Sequence, residues 1–136
     1  MEHCCNGELF NYITSKNRLK EDEACRLFQQ LISGIEYLGE LGIAHRDIKP
    51  ENLLISSSSK DGSKAVPYKN IRVGDFGLAK ILEHHDDMST TEVGTTYYIS
   101  PEVVQSQPYS YPTDVWSLGV VMFELITHKL PYTGET

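Results

Sequence analysis

The sequence predicts an α+β domain, mainly helical with one short β-hairpin. Two observations carry that reading. Apolar residues recur at helical spacing from Ala24 to Leu38 and again from Val115 to Ile126. Between them lie two short runs of strand type, Leu53-Leu54-Ile55 and Ile71-Arg72-Val73. A chain of 136 residues, 40% hydrophobic and 23% charged, can form one globular core, so residues 1–136 are read as one domain or part of one.

Taking the elements in order, Leu19-Lys20-Glu21-Asp22 leads into Ala24, Leu27, Phe28, Leu31, Ile32, Ile35 and Leu38, spaced as on the buried face of a long amphipathic helix. Glycines from Gly39 to Gly42 permit the left-handed cap that ends such helices, and a loop follows. The two strand-type runs form a hairpin whose exposed, mobile tip is the polar spacer Ser56 to Lys64. Asp75 to Ser100 shows no periodicity, and a stretch of that length in a compact domain is usually functional or disordered. Pro112-Thr113-Asp114 opens the second helix, which runs to about His128. Its apolar residues cover most of the circumference, so it expects burial on nearly all sides. There is no internal repeat.

The formal net charge of -7 argues against a nucleic acid or an anionic membrane surface as partner. The three cysteines have neither a paired framework nor zinc-type spacing, which suits a reducing compartment, the cytosol or the nucleus. Glu2 and Glu8, with no basic region or apolar run, remove a secretory signal, and Glu2 removes myristoylation. The most apolar stretch, Val115 to Ile126, is too short for a bilayer.

The chemistry lies in three strings: His45-Arg46-Asp47-Ile48-Lys49-Pro50-Glu51-Asn52, then Asp75-Phe76-Gly77, then Ser100-Pro101-Glu102. An isolated Asp-Phe-Gly is more often a turn than a metal site. The ordered set, with the first string between a helix and a hairpin, resembles the signature of eukaryotic protein kinases, with Ser100 where Ala is usual. Phosphoryl transfer asks a protein mainly to hold a nucleophile in line and to stabilise charge on the transferring oxygens.

The resemblance implies roles at matching positions. Asp47 would accept the hydrogen bond and then the proton of the substrate hydroxyl, and Lys49 would sit on the γ-phosphate of ATP. Asn52 and Asp75 would hold magnesium, and Glu8, Glu51 and Leu54 would complete the nucleotide contacts, Glu8 at the ribose and Leu54 beneath the adenine. Lys49 two residues after Asp47, together with Thr95, resembles serine/threonine kinases. Met1-Glu2-His3-Cys4 resembles the hinge with Met1 as gatekeeper, Gly7-Glu8-Leu9-Phe10 the start of the next helix, and His45, Phe76 and Asp114 the internal spine. Arg46 beside Asp47 implies a switch in which an upstream kinase phosphorylates the loop, with Thr91 preferred over Ser89 and Thr90, and the phosphate draws in Arg46. His84-His85-Asp86-Asp87 is read as solvated surface, and Cys4 and Cys5 as small packing residues.

The fold so implied is the large lobe of a kinase, incomplete at both ends: the glycine-rich loop, the strand lysine and its glutamate partner are absent, as is the arginine that pairs with the Glu102 position. The second helix, apolar all round, would then have too few neighbours and leave apolar area exposed, so the isolated chain is expected to be inactive and marginally stable, as part of a serine/threonine kinase acting on protein substrates. The alternative is a truncated, catalytically silent relative that binds a partner. Within the family, the N-terminal part resembles calmodulin-dependent and energy-sensing kinases, and the stretch from Val93 to Glu102 also resembles kinases of the never-in-mitosis type.

Overall fold

The computed structural model describes Cys4 and residues 6–16, 19–57, 69–82 and 96–133. Helix α1 is Leu9–Thr14, helix α2 is Glu21–Glu40, and strand β1 is Ile43–Ala44. A 3-10 turn, Pro50–Asn52, runs into β2, Leu53–Ser57. Strands β3, Lys69–Val73, and β4, Lys80–Ile81, are followed by the short helix α3, Pro101–Val104, and by α4, Pro112–Thr127. Among the described residues no helix is long and apolar enough to cross a membrane.

Helix α2 opens without a side-chain cap, but Glu21, Asp22 and Glu23 occupy its first turn, where negative charge opposes the helix dipole. Its buried stripe is Ala24, Leu27, Leu31, Ile35 and Leu38. Phe28 is half-buried and Ile32 is exposed, so the stripe is narrower than the sequence suggested. The left-handed residue after the helix is Gly42, at φ +71°. A Cβ there would lie 2.8 Å from the Leu82 carbonyl oxygen, and Leu82 N–H donates to Gly42 O at 2.7 Å. Only glycine lets the end of α2 come this close to the chain leaving β4.

Strands β2 and β3 pair antiparallel, with Leu53 opposite Val73 and Ile55 opposite Ile71. This is the expected hairpin, but β2 takes in Ser56 and Ser57, opposite Asn70 and Lys69, and Ser56 is buried, so the strand runs into what the sequence reading took for the exposed tip; residues 58–64 of that spacer lie outside the described residues. Strand β1 pairs antiparallel with β4, Ile43 opposite Ile81 and Ala44 opposite Lys80. Both of these strands fall in stretches read from the sequence as lacking regular structure, and α3 was not anticipated, because elements this short contain no full period to detect. Their consequence is topological. Residues 45–52 run from β1 to β2 and residues 74–79 from β3 to β4, so the two ladders clamp these segments against each other at both ends.

Helix α4 packs against α2 and buries Leu118, Val120, Val121 and Leu125. Val115, Phe123 and Ile126 are exposed: among the described residues the core reaches one flank only, so burial on nearly all sides is not met and the expected exposed apolar area on this helix is present. The buried cluster joins Leu9 and Ile13 of α1, the α2 stripe, Ile48, Leu53, Ile55, Ile71 and the α4 residues.

Candidate active site

Asp114, on the first turn of α4 and 2% exposed, accepts the backbone N–H of His45 at 2.7 Å and of Arg46 at 2.8 Å. Burial pushes the Asp114 carboxyl above its ordinary value, against the opposing pull of those two N–H groups. Arg46 is left-handed at φ +69°, a conformation that costs a non-glycine residue about 1–2 kcal/mol. The Asp114 carboxylate holds it there. His45 is fully buried and ties the two clamped segments together: Asp47 N–H donates to its Nδ1 at 3.3 Å, and its Nε2 meets Gly74 O at 3.0 Å. These partners suit an imidazole with its proton on Nε2, whose ring meets Phe76 edge-on at 4.9 Å.

Asp47 is 8% exposed, and its Oδ2 receives Lys49 Nζ at 2.9 Å and Asn52 Nδ2 at 2.9 Å. Asn52 Nδ2 also donates to Asp47 O at 2.9 Å. The Asn52 amide nitrogen is thus committed to Asp47, leaving its amide oxygen as the atom able to meet a cation. Asn52 O accepts Gly74 N–H at 2.8 Å, which brings Asp75 alongside. Asp75 is exposed and left-handed at φ +55°, with Oδ1 accepting Gly77 N–H at 3.2 Å. One carboxylate and one amide oxygen are hard donors that fit magnesium, which commonly takes few protein ligands and keeps water or phosphate for the rest. Among the described residues no group of three or more His, Cys, Asp and Glu could bind a metal by itself, so such an ion would need ligands from the substrate or water.

Glu8 and Leu54 are brought together by an antiparallel bridge, extended by Ile55 N–H to Gly7 O at 2.8 Å and Asn6 N–H to Ile55 O at 3.2 Å. Glu51 has one buried carboxylate oxygen without a hydrogen-bond partner. Met1, Cys5, Ser89, Thr90, Thr91, Thr95 and the His84 to Asp87 group lie outside the described residues.

Several residues that tie the site together were not singled out from sequence. Tyr98 Oη donates to Glu124 Oε2 at 2.8 Å, and burial pushes both groups above their ordinary values, with the Glu51 charge adding to each. Ser117 Oγ donates to Tyr98 O at 2.7 Å, and the Ser100 and Thr113 hydroxyls share a hydrogen bond of 2.8 Å. Arg46 Nε donates to Leu78 O at 2.6 Å and Arg46 Nη1 to Tyr109 Oη at 3.3 Å. The available signal was on α4, where Thr113, Asp114, Ser117 and Glu124 are polar exceptions in an apolar helix. Buried polar groups need partners, and here those partners are His45 and Arg46 and the stretch before Pro101.

The chain is similar in sequence to known proteins. The serine/threonine protein kinase OSK3 of Oryza sativa is 43% identical over 136 residues, 99% of this chain and 25% of that protein. The SNF1-related protein kinase catalytic subunit alpha KIN12 of Arabidopsis thaliana is 42% identical over 135 residues, covering 99% and 25%. The probable serine/threonine-protein kinase HSL1 of Saccharomyces cerevisiae is 40% identical over 136 residues, covering 99% and 8%. The chain spans a quarter or less of the length of these relatives. The protein kinase domain family matches residues 1–136, the full sequence that contains the Asp47, Asn52 and Asp75 cluster, and the chain belongs to that family.

Proposed function

We propose that the chain supplies the hinge, catalytic loop, activation segment and anchoring helix of a serine/threonine kinase large lobe, and that the whole protein moves the ATP γ-phosphoryl group to Ser or Thr hydroxyls of protein substrates. One observation carries this reading: the Asp47 carboxylate is joined to Lys49 and Asn52 at 2.9 Å each, and Asn52 is joined through Gly74 to the Asp75 segment. Folding alone does not ask for two acids, an amide and an ammonium in one place.

In this reading Asp47 orients the substrate hydroxyl and takes its proton, while Lys49 moves its ammonium toward the transferring phosphate. Asn52 and Asp75 would hold magnesium, which supplies charge neutralisation at the nucleotide phosphates. Glu8 and Leu54 take the ribose and adenine, while Glu51, whose charge acts on Tyr98 and Glu124, is assigned to the peptide side instead of the nucleotide. Thr95 steadies Asp47 and Lys49. Thr91 is the acceptor for an upstream kinase, with Arg46 as one receiver of the phosphate. The carboxylates of Glu51 and Glu124 favour peptide substrates with a basic side chain near the phosphorylated residue, supported by the unpaired buried oxygen of Glu51. The free thiols of Cys4 and Cys25 support a cytoplasmic setting.

The test is Asp47→Asn in the kinase at its natural length. Phosphotransfer to a Ser peptide is expected to fall at least about a hundredfold, with ATP affinity within about threefold of the original, because the base is lost while the nucleotide contacts remain. Unchanged turnover would remove Asp47 from the chemistry. An intact protein with no measurable phosphotransfer would leave the silent binding module as the better description.

A further inference from the structure

We infer that Tyr109 is a positioning residue for the Asp47 carboxylate and acts through Arg46. The inference rests on the kinase reading above. Arg46 immediately precedes Asp47, so the orientation of its backbone sets where the Asp47 side chain starts. That backbone is left-handed and its N–H is fixed on Asp114 at 2.8 Å. The guanidinium fixes the other end of the residue: Nε donates to Leu78 O at 2.6 Å and Nη1 to Tyr109 Oη at 3.3 Å.

The three anchors come from three places. Asp114 belongs to α4, Leu78 follows Asp75-Phe76-Gly77, and Tyr109 lies between α3 and α4. A guanidinium is planar and its donors point in fixed directions, so two contacts on different nitrogens set its plane. Tyr109 is 3% exposed, and its phenol oxygen offers the charged donor an acceptor that solvent does not displace. The oxygen therefore does what ring packing alone cannot: it keeps Arg46 from rotating and carrying the Asp47 backbone with it. All three anchors are unmodified groups, so this hold operates without a phosphate on the activation segment.

Tyr109→Phe, Arg46→Ala and the double variant are compared in the phosphatase-treated kinase at its natural length. Phenylalanine keeps the buried ring and removes only the oxygen. Tyr109→Phe is expected to lower kcat about tenfold with KM for ATP within about twofold, the loss of one hydrogen bond to a charged group. On the Arg46→Ala background the same change should alter kcat by less than about twofold, since the partner is already gone. By NMR, exchange of the Arg46 Nε–H with solvent should speed up in Tyr109→Phe. Equal losses in both backgrounds, or no loss in either, would overturn the inference and leave Tyr109 as packing. If the original protein proves inactive both before and after phosphatase treatment, the kinase reading fails by itself, and the NMR comparison still decides the role of Tyr109: an unchanged Arg46 Nε–H exchange rate ends it.

Discussion

Glu124 shows how much a single side chain can report about the site. It accepts the Tyr98 hydroxyl at 2.8 Å, and its carboxyl is raised above the ordinary value, first by burial and then by the Glu51 charge. A carboxyl raised in the fold holds its proton more tightly when folded than when unfolded. Its contribution to stability is therefore present below about pH 4.5 and is lost as pH rises through the folded value. Glu124→Gln keeps an oxygen for Tyr98 and removes the charge. The stability of the original chain minus that of the variant, measured by urea unfolding, is expected to decline as pH rises from 4 to 7. Solvent screening of a half-exposed group keeps the change below about 1 kcal/mol. A difference that is flat or rises with pH would show that Glu51 and burial do not act on Glu124 as described.

At the scale of elements, α2 sets the frame on which both clamped segments rest, since it packs against β1, β3 and α4. Leu31 is 0% exposed at the centre of its stripe and Ile32, one residue on, is 44% exposed. Leu31→Ala is expected to cost about 2–5 kcal/mol through lost contacts and a residual cavity, and Ile32→Ala no more than about 1 kcal/mol. Urea midpoints at constant slope compare the two; similar costs would mean that Ile32 is covered in solution. This helix was legible because twenty residues contain several turns of one pattern. The β2–β3 hairpin was legible because Leu53, Ile55 and Ile71 point inward along paired strands. Strands β1 and β4 were not, because a two-residue ladder exists only through its distant partner. The strings containing Asp47, Asn52 and Asp75 could be read as motifs. The Tyr98–Glu124 and Arg46–Tyr109 contacts could not, since each joins residues far apart in sequence whose types alone say nothing about pairing. The exposed flank of α4 among the described residues was legible in part: periodicity reports that the helix is apolar nearly all round, and the shortage of neighbours was expected, but which of its residues lie open, Val115, Phe123 and Ile126, depends on how α2 packs against it.

For the 136-residue chain as a whole, the formal net charge of -7 and the carboxylates of Glu51 and Glu124 would, in the kinase function proposed above, act in the same direction on an approaching peptide. In that reading a peptide with basic residues would be drawn in over a distance of about one Debye length, roughly 10 Å at 0.1 M salt, and an acidic one repelled. The kinase reading then predicts opposite salt responses. For a serine peptide flanked by arginines, kcat/KM should fall as salt rises from about 0.05 to about 0.5 M, and for a glutamate-flanked peptide it should hold or rise. Distributed charge and the local pair can be separated, because Glu51→Gln with Glu124→Gln removes the pair and leaves the rest of the chain's charge in place. If the pair sets the preference, the double variant should lose most of the arginine advantage even at 0.5 M salt, where the distant field is screened to about 4 Å. If the advantage persists in the double variant and disappears only with salt, the preference belongs to the overall charge, and the Glu51–Glu124 pair serves Tyr98 and the fold instead of the substrate.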